Sequence, residues 1–231
     1  MNLFETISNS RFHQNLKHFF DENEFLLLLI ALLSFLLIPS FIVHSGVKSG
    51  VIYGLLVLVL LIGIYEISES KILCRIGILL SILTLLFNSL SFSQNDPLVF
   101  LLRMGSLIAF FGLLTIHVLI RMGKFEKVTT NVIYAAVNGY ILIGLIGGMG
   151  FRLINHFYPS SFMFTNGLEA KIDDLTYFSF ITLSSLGYGD ITPVTPPGQS
   201  LSIFISICGQ MYTAIIIGII IGKFTLSKKG N

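Results

Sequence analysis

Residues Thr182 to Pro193 read Thr-Leu-Ser-Ser-Leu-Gly-Tyr-Gly-Asp-Ile-Thr-Pro, and the centre of that run, Ser185, Leu186, Gly187, Tyr188 and Gly189, combines a hydroxyl with two closely spaced glycines. Glycine takes left-handed backbone angles without the steric cost other residues meet, so this spacing permits alternating conformations that turn successive carbonyls toward one axis. Carbonyls and a serine hydroxyl are hard oxygen ligands, able to replace the water shell of a monovalent cation. The Leu186 and Tyr188 side chains then point away from the ion and pack behind the loop against Tyr177 and Phe178. The chemistry expected is coordination without covalent change. Inside the apolar stretches nothing resembles a serine-histidine, paired-carboxylate or metal-ligand arrangement, so neither an enzyme nor a cofactor is expected.

Such a polar loop must be held by its surroundings, and these are very apolar. The 231 residues are 54% hydrophobic and 11% charged, with a mean hydropathy of +0.86, which marks an integral membrane protein. Basic residues are scattered, so no nucleic-acid surface is expected. Cys74 and Cys208 lie in or beside apolar stretches and read as small buried hydrophobes. Residues 1–24 carry Glu5, Asp21, Glu22 and Glu24 and lack a cleavage site, so the N-terminus is expected to be retained.

Six stretches are long enough to cross a bilayer as helices, each needing about 17 to 25 apolar residues: Phe25 to Val43, Val51 to Ile67, Ile76 to Phe92, Leu98 to Ile120, Val132 to Ile154 and Leu201 to Phe224. One face then collects Arg11, Lys17, Lys71, Arg75, Arg121, Lys124, Lys127, Lys223, Lys228 and Lys229, while the other collects Lys48, Arg152 and Lys171. The positive-inside rule places both termini in the cytoplasm and the Ser185 to Gly189 loop outside. Phe12, Leu16, Phe19 and Phe20 recur at helical spacing, consistent with an interfacial helix; a disordered tail is the alternative.

Asp173 and Asp174 precede an aromatic-rich segment, Leu175 to Ser184, about three helical turns long. Acidic residues suit a helix N-terminus, and the partly negative C-terminus of that helix would face the cation loop. Thr182, Ser184, Tyr177, Phe178 and Asp190 are the residues expected to support the loop.

Together these residues resemble the potassium-channel superfamily, of the compact prokaryotic six-span kind. Ser185 to Gly189 is similar to its selectivity filter, and Gly209 stands 20 residues after Gly189, where the family places an inner-helix hinge. Two departures are visible: Ser185-Leu186 replaces the usual Thr-Val, and Ile181 stands where some relatives carry a glutamate that pairs with the aspartate after the filter. Asp190 is left to bond the backbone or Tyr177, or to act as a simple turn residue.

The resemblance implies an all-α membrane protein with a four-helix voltage-sensor-like domain (25–121), a linker (122–131) along the inner membrane surface, a pore domain (132–225) with re-entrant pore helix and filter, and flanking cytoplasmic segments (1–24 and 226–231). It implies a homotetramer in the cell (plasma or inner) membrane, with membrane lipids as its other partners and K+ at the carbonyls of Ser185 to Tyr188. The expected function is passive, potassium-selective conduction, with a weakly selective cation pore or a non-conducting scaffold or auxiliary subunit as alternatives. Seven residues follow Phe224, too few for a cytoplasmic ligand-binding domain in this chain.

Voltage-gated relatives carry arginines at every third position of the fourth span, whereas here Ser106, Ala109, Gly112, Thr115 and Val118 separate Arg103 from Arg121. Little or no voltage gating is therefore expected. Arg103 is expected to snorkel outward or bond polar groups of span three. Glu66 and Glu69 either lie in a solvated loop or meet Arg75 or Arg121, and His117 is either a buried neutral residue or a pH sensor. On the last span, Gly209 and Gly218 offer hinges or packing faces, with Gly222 completing a Gly-x-x-x-Gly stripe. Thr213, Ile217 and Ile221 follow Gly209 along one face, where isoleucine rings would either gate by dewetting or pack on neighbours.

Overall fold

The computed structural model describes residues 23–90, 96–125, 127–165 and 172–229. The proposed interfacial helix and the last two residues of the tail lie outside them. Among the described residues, six helices are long and apolar enough to span a bilayer, which makes the chain an all-α multi-pass membrane protein.

Helix α1 (Asn23–Phe41) closes in a 3-10 turn over Ile38–Phe41, where Pro39 cannot continue the α-helical bonding. Helices α2 (Ser45–Glu66) and α3 (Lys71–Leu90) follow. Helix α4 (Pro97–Lys124) starts at an Asp96 cap, whose carboxylate accepts from the Leu98 amide at 2.8 Å, and Pro97 fits the first turn because no intrahelical donor is needed there. It ends with Arg121 and Lys124 in its last turn, where cations complement the helix dipole.

Helix α5 (Thr130–Phe157) follows after a short connection. That connection is shorter than the expected 122–131 linker because α4 stays helical through Lys124. Beyond α5 come strand β1 (Phe162–Phe164), helix α6 (Ile172–Leu183), strand β2 (Ile191–Pro193) and helix α7 (Pro196–Lys229). Helix α7 begins before the expected Leu201, since Pro196 and Pro197 suit a helix start, and it outlasts Phe224 into the stretch expected as a tail.

Helix α4 is the inner member of the first four, burying Phe110, Phe111, Leu114 and Val118 completely. Gly63 of α2 admits the Phe110 ring, which a Cβ there would meet at 2.9 Å. The same core runs on into α5 through Val132, Ala135 and Leu142. Asn138 of α5 donates to the Phe25 carbonyl of α1 at 2.8 Å, so the four-helix unit leans on the α5 of its own chain.

Candidate functional site: the loop after helix α6

Helix α6 reaches its position because α5 presents a glycine stripe. A Cβ at Gly144 would enter the Phe180 ring, one at Gly147 the Ser179 hydroxyl, and one at Gly148 would sit 2.9 Å from the Thr176 Cα. Ser179 then donates to the Gly144 carbonyl at 2.7 Å, a buried bond only a bare backbone face admits. Phe178 is buried against Phe151 and Phe162, at centroid separations of 4.8 and 5.5 Å. It therefore anchors α6 to α5 and β1, a place different from the expected one behind Leu186 and Tyr188.

The helix ends in a Schellman arrangement. The Leu186 amide donates to the Ile181 carbonyl and the Ser185 amide to the Thr182 carbonyl, both at 3.0 Å. Such an ending needs a left-handed residue, normally glycine, and here Ser185 takes it with φ 57°. Gly187 and Gly189 follow with φ 55° and 78°, while Leu186 and Tyr188 keep negative φ. Positive and negative φ thus alternate from Ser185 to Gly189, the backbone condition for carbonyls to line one side. A Cβ at Gly187 or Gly189 would meet nothing within 4 Å, so what requires glycine is the backbone angle.

Both ends of the loop are tied. At the α6 end, Ser184 donates its hydroxyl to the Ile181 carbonyl at 3.3 Å, and Gln210 of α7 donates to the Ser185 hydroxyl at 2.6 Å. At the other end, β1 and β2 pair antiparallel, with Phe164 opposite Ile191, and the Thr165 amide donates to the Asp190 carbonyl at 3.0 Å. Tyr177 donates to Asp190 Oδ2 at 2.9 Å, and the Ile191 amide donates to Oδ1 at 3.1 Å. The Asp190 carboxylate beside it holds the Tyr177 phenol above its ordinary pKa, so the donor stays protonated.

Within one chain this loop is open. Leu186 is 55% exposed and Tyr188 67% exposed. Among the described residues of the chain, none buries either side chain.

Helix α7 passes close behind. A Cβ at Gly209 would collide with the Leu183 carbonyl, the last residue of α6, and α7 is continuous through that point. Gly209 thus serves close approach between two helices. Tyr212 locks α7 to α5 by donating to the Ala136 carbonyl at 2.5 Å, and Thr213 bonds its own helix through the Gly209 carbonyl at 2.9 Å. Gly218 and Gly222 touch nothing that a Cβ would disturb, and Ile217 and Ile221 are exposed.

Of the fourth-span charges, Arg121 is clasped by three carboxylates, those of Glu24, Glu66 (2.9 Å) and Glu69 (3.2 Å), and its guanidinium covers the Phe25 ring at 4.9 Å. Glu66 is fully buried there, so it is a packed ion-pair partner and no solvated loop residue. His117, one turn back, is buried. Arg103 stacks over Phe100 at 5.4 Å.

Gln210, the α5 glycine stripe, the β ribbon and Glu24 escaped the sequence reading. The Gly144 and Gly148 spacing and a glutamine beside Gly209 in the apolar stretch of its helix were the signals for the first two.

The last two of the six apolar helices thus flank a shorter helix and an oxygen-rich loop. Residues 128–225 match the ion channel family Ion_trans_2, and the chain resembles the potassium-channel superfamily as its residues suggest. It is 59% identical over 32 residues to "Potassium channel K1" of Plasmodium berghei, covering 14% of this chain and 2% of that protein. It is 36% identical over 59 residues to "Two pore potassium channel c" of Oryza sativa subsp. japonica, covering 26% of this chain and 13% of that one. The chain thus spans only a small part of the curated relatives it matches. No solved structure matches it significantly.

Proposed function

We propose that the chain forms a homotetrameric, potassium-selective channel in which the carbonyls of Ser185, Leu186, Gly187 and Tyr188 from four copies ring a common axis and strip K+ of its water. The observation that carries this reading is the alternation of backbone hand at Ser185, Gly187 and Gly189, on an exposed loop at the C-terminus of α6. The helix directs its partly negative end at that loop, which favours a cation. One chain supplies one quarter of an oxygen ring, and the exposed Leu186, Tyr188 and α7 face would be covered by neighbouring copies.

In this reading residues 25–121 are a voltage-sensor-like support, 132–225 the pore, and Ile217 and Ile221 line the inner mouth with both termini cytoplasmic. The Ser185 hydroxyl is the innermost ligand, oriented by Gln210. Purified protein in potassium-loaded liposomes is the direct test. A reversal potential that follows the potassium gradient in mixed K+ and Na+ is the expected result. One that ignores that gradient removes selectivity, and a tetramer with no flux removes conduction.

A further inference from the structure

Away from the filter, a cavity of about 600 Å³ lies between α1 and α2 on one side and α4, α5 and α6 on the other. That volume is typical of sites for drug-sized ligands, about 300–1,000 Å³, and suits one acyl chain better than a whole two-chain lipid. Its walls are largely hydrocarbon, from Phe35, Leu107, Leu145, Met149 and Phe180. Two guanidinium groups, Arg103 and Arg152, share the lining.

Arg103 is the unusual member. It sits in a membrane-spanning helix, its Nε is buried with no hydrogen-bond partner, and no carboxylate among the described residues pairs with it. A cation in such a place is costly unless an anion or a set of acceptors meets it. The contact it does make, over the Phe100 ring, leaves its planar donor fork without an acceptor. That fork matches a carboxylate in geometry and charge. Arg121, by contrast, has its carboxylates within the protein.

We propose that this cavity binds an anionic single-chain amphiphile of the fatty-acid type, its carboxylate on Arg103 and its chain along the Phe35 to Met149 wall. Tyr177 also lines the cavity, so the bound chain lies against a residue that supports the filter. The proposal does not depend on conduction, and its test reads binding alone.

The chain contains no tryptophan, so Phe35→Trp places the one tryptophan of this chain on the cavity wall. Dibromostearic acid and its uncharged methyl ester, added in detergent micelles, then report occupancy by quenching. The acid is expected to half-quench at a concentration at least tenfold below the ester, and Arg103→Gln in the same background to erase that difference. Leu107→Phe, which narrows the cavity and leaves its charge alone, should weaken quenching by acid and ester alike. Equal quenching by both ligands, an acid preference that survives Arg103→Gln, or no effect of Leu107→Phe would each overturn the site. Brominated phosphatidylglycerol quenching as well as the acid would overturn the single-chain occupant.

Discussion

At Ser185 and Gly187 the chain adopts the same backbone hand with different side chains, and the consequences differ. Gly187 has open space around it, so Gly187→Ala meets no clash, only the left-handed penalty of about 1–2 kcal/mol. That is enough to flip the residue out of the alternating pattern, and the expected outcome is loss of selective potassium flux in liposomes while the protein still assembles. Ser185 bears the same angle by virtue of the Schellman bonds and the Gln210 contact. Gln210→Leu removes the donor that orients the hydroxyl, so the sodium-to-potassium permeability ratio should rise; Gln210→Asn, whose amide is one methylene shorter, should fall between. Bi-ionic reversal potentials measure both. The glycine spacing was legible because a glycine repeat constrains the backbone directly. Gln210 was not, because its bond to Ser185 joins a helix to the loop after another helix, an approach only packing decides.

Among the elements, the approach of α6 to its neighbours depends on side chains that are missing. Gly209→Val would push a branched side chain into the Leu183 carbonyl, with overpacking worth about 1–3 kcal/mol. The expected outcome is a lower melting temperature in detergent and loss of flux, and a hinge role alone would leave the melting temperature unchanged. The Asp96 cap that starts α4 was not read, whereas all six spans were readable from apolar length, because burial in lipid is a local property. The β1 and β2 ribbon was hidden for the opposite reason. Each strand has three residues, too few to show alternation, and they pair across the whole of α6 and the loop after it.

For the whole molecule, the pattern of charge decides what the first four helices can do. The fourth span lacks arginines between positions 103 and 121, and Arg121 is already committed to Glu24, Glu66 and Glu69. Conductance in a planar bilayer should therefore vary only shallowly with voltage; a steep curve moving several charges per subunit would refute this. The ion-pair cluster should matter for stability instead. Arg121→Gln strands the buried Glu66 carboxylate, a loss of about 3–5 kcal/mol for a broken buried pair. Adding Glu66→Gln should restore part of the melting temperature, since the stranded charge is gone. That Arg121 had a carboxylate partner was one of two sequence readings, and its third partner, Glu24, lies nearly a hundred residues away in the chain.

The bond from Asn138 to the Phe25 carbonyl joins the first span to the fifth of one and the same polypeptide. In an assembly of mixed wild-type and variant copies, damage to this contact is confined to the copy that carries it. In the proposed tetramer, weakening the brace should then lower flux in proportion to the number of variant subunits, whereas a lesion in the Ser185 to Gly189 loop, on whose proposed ring every copy draws, would act dominantly.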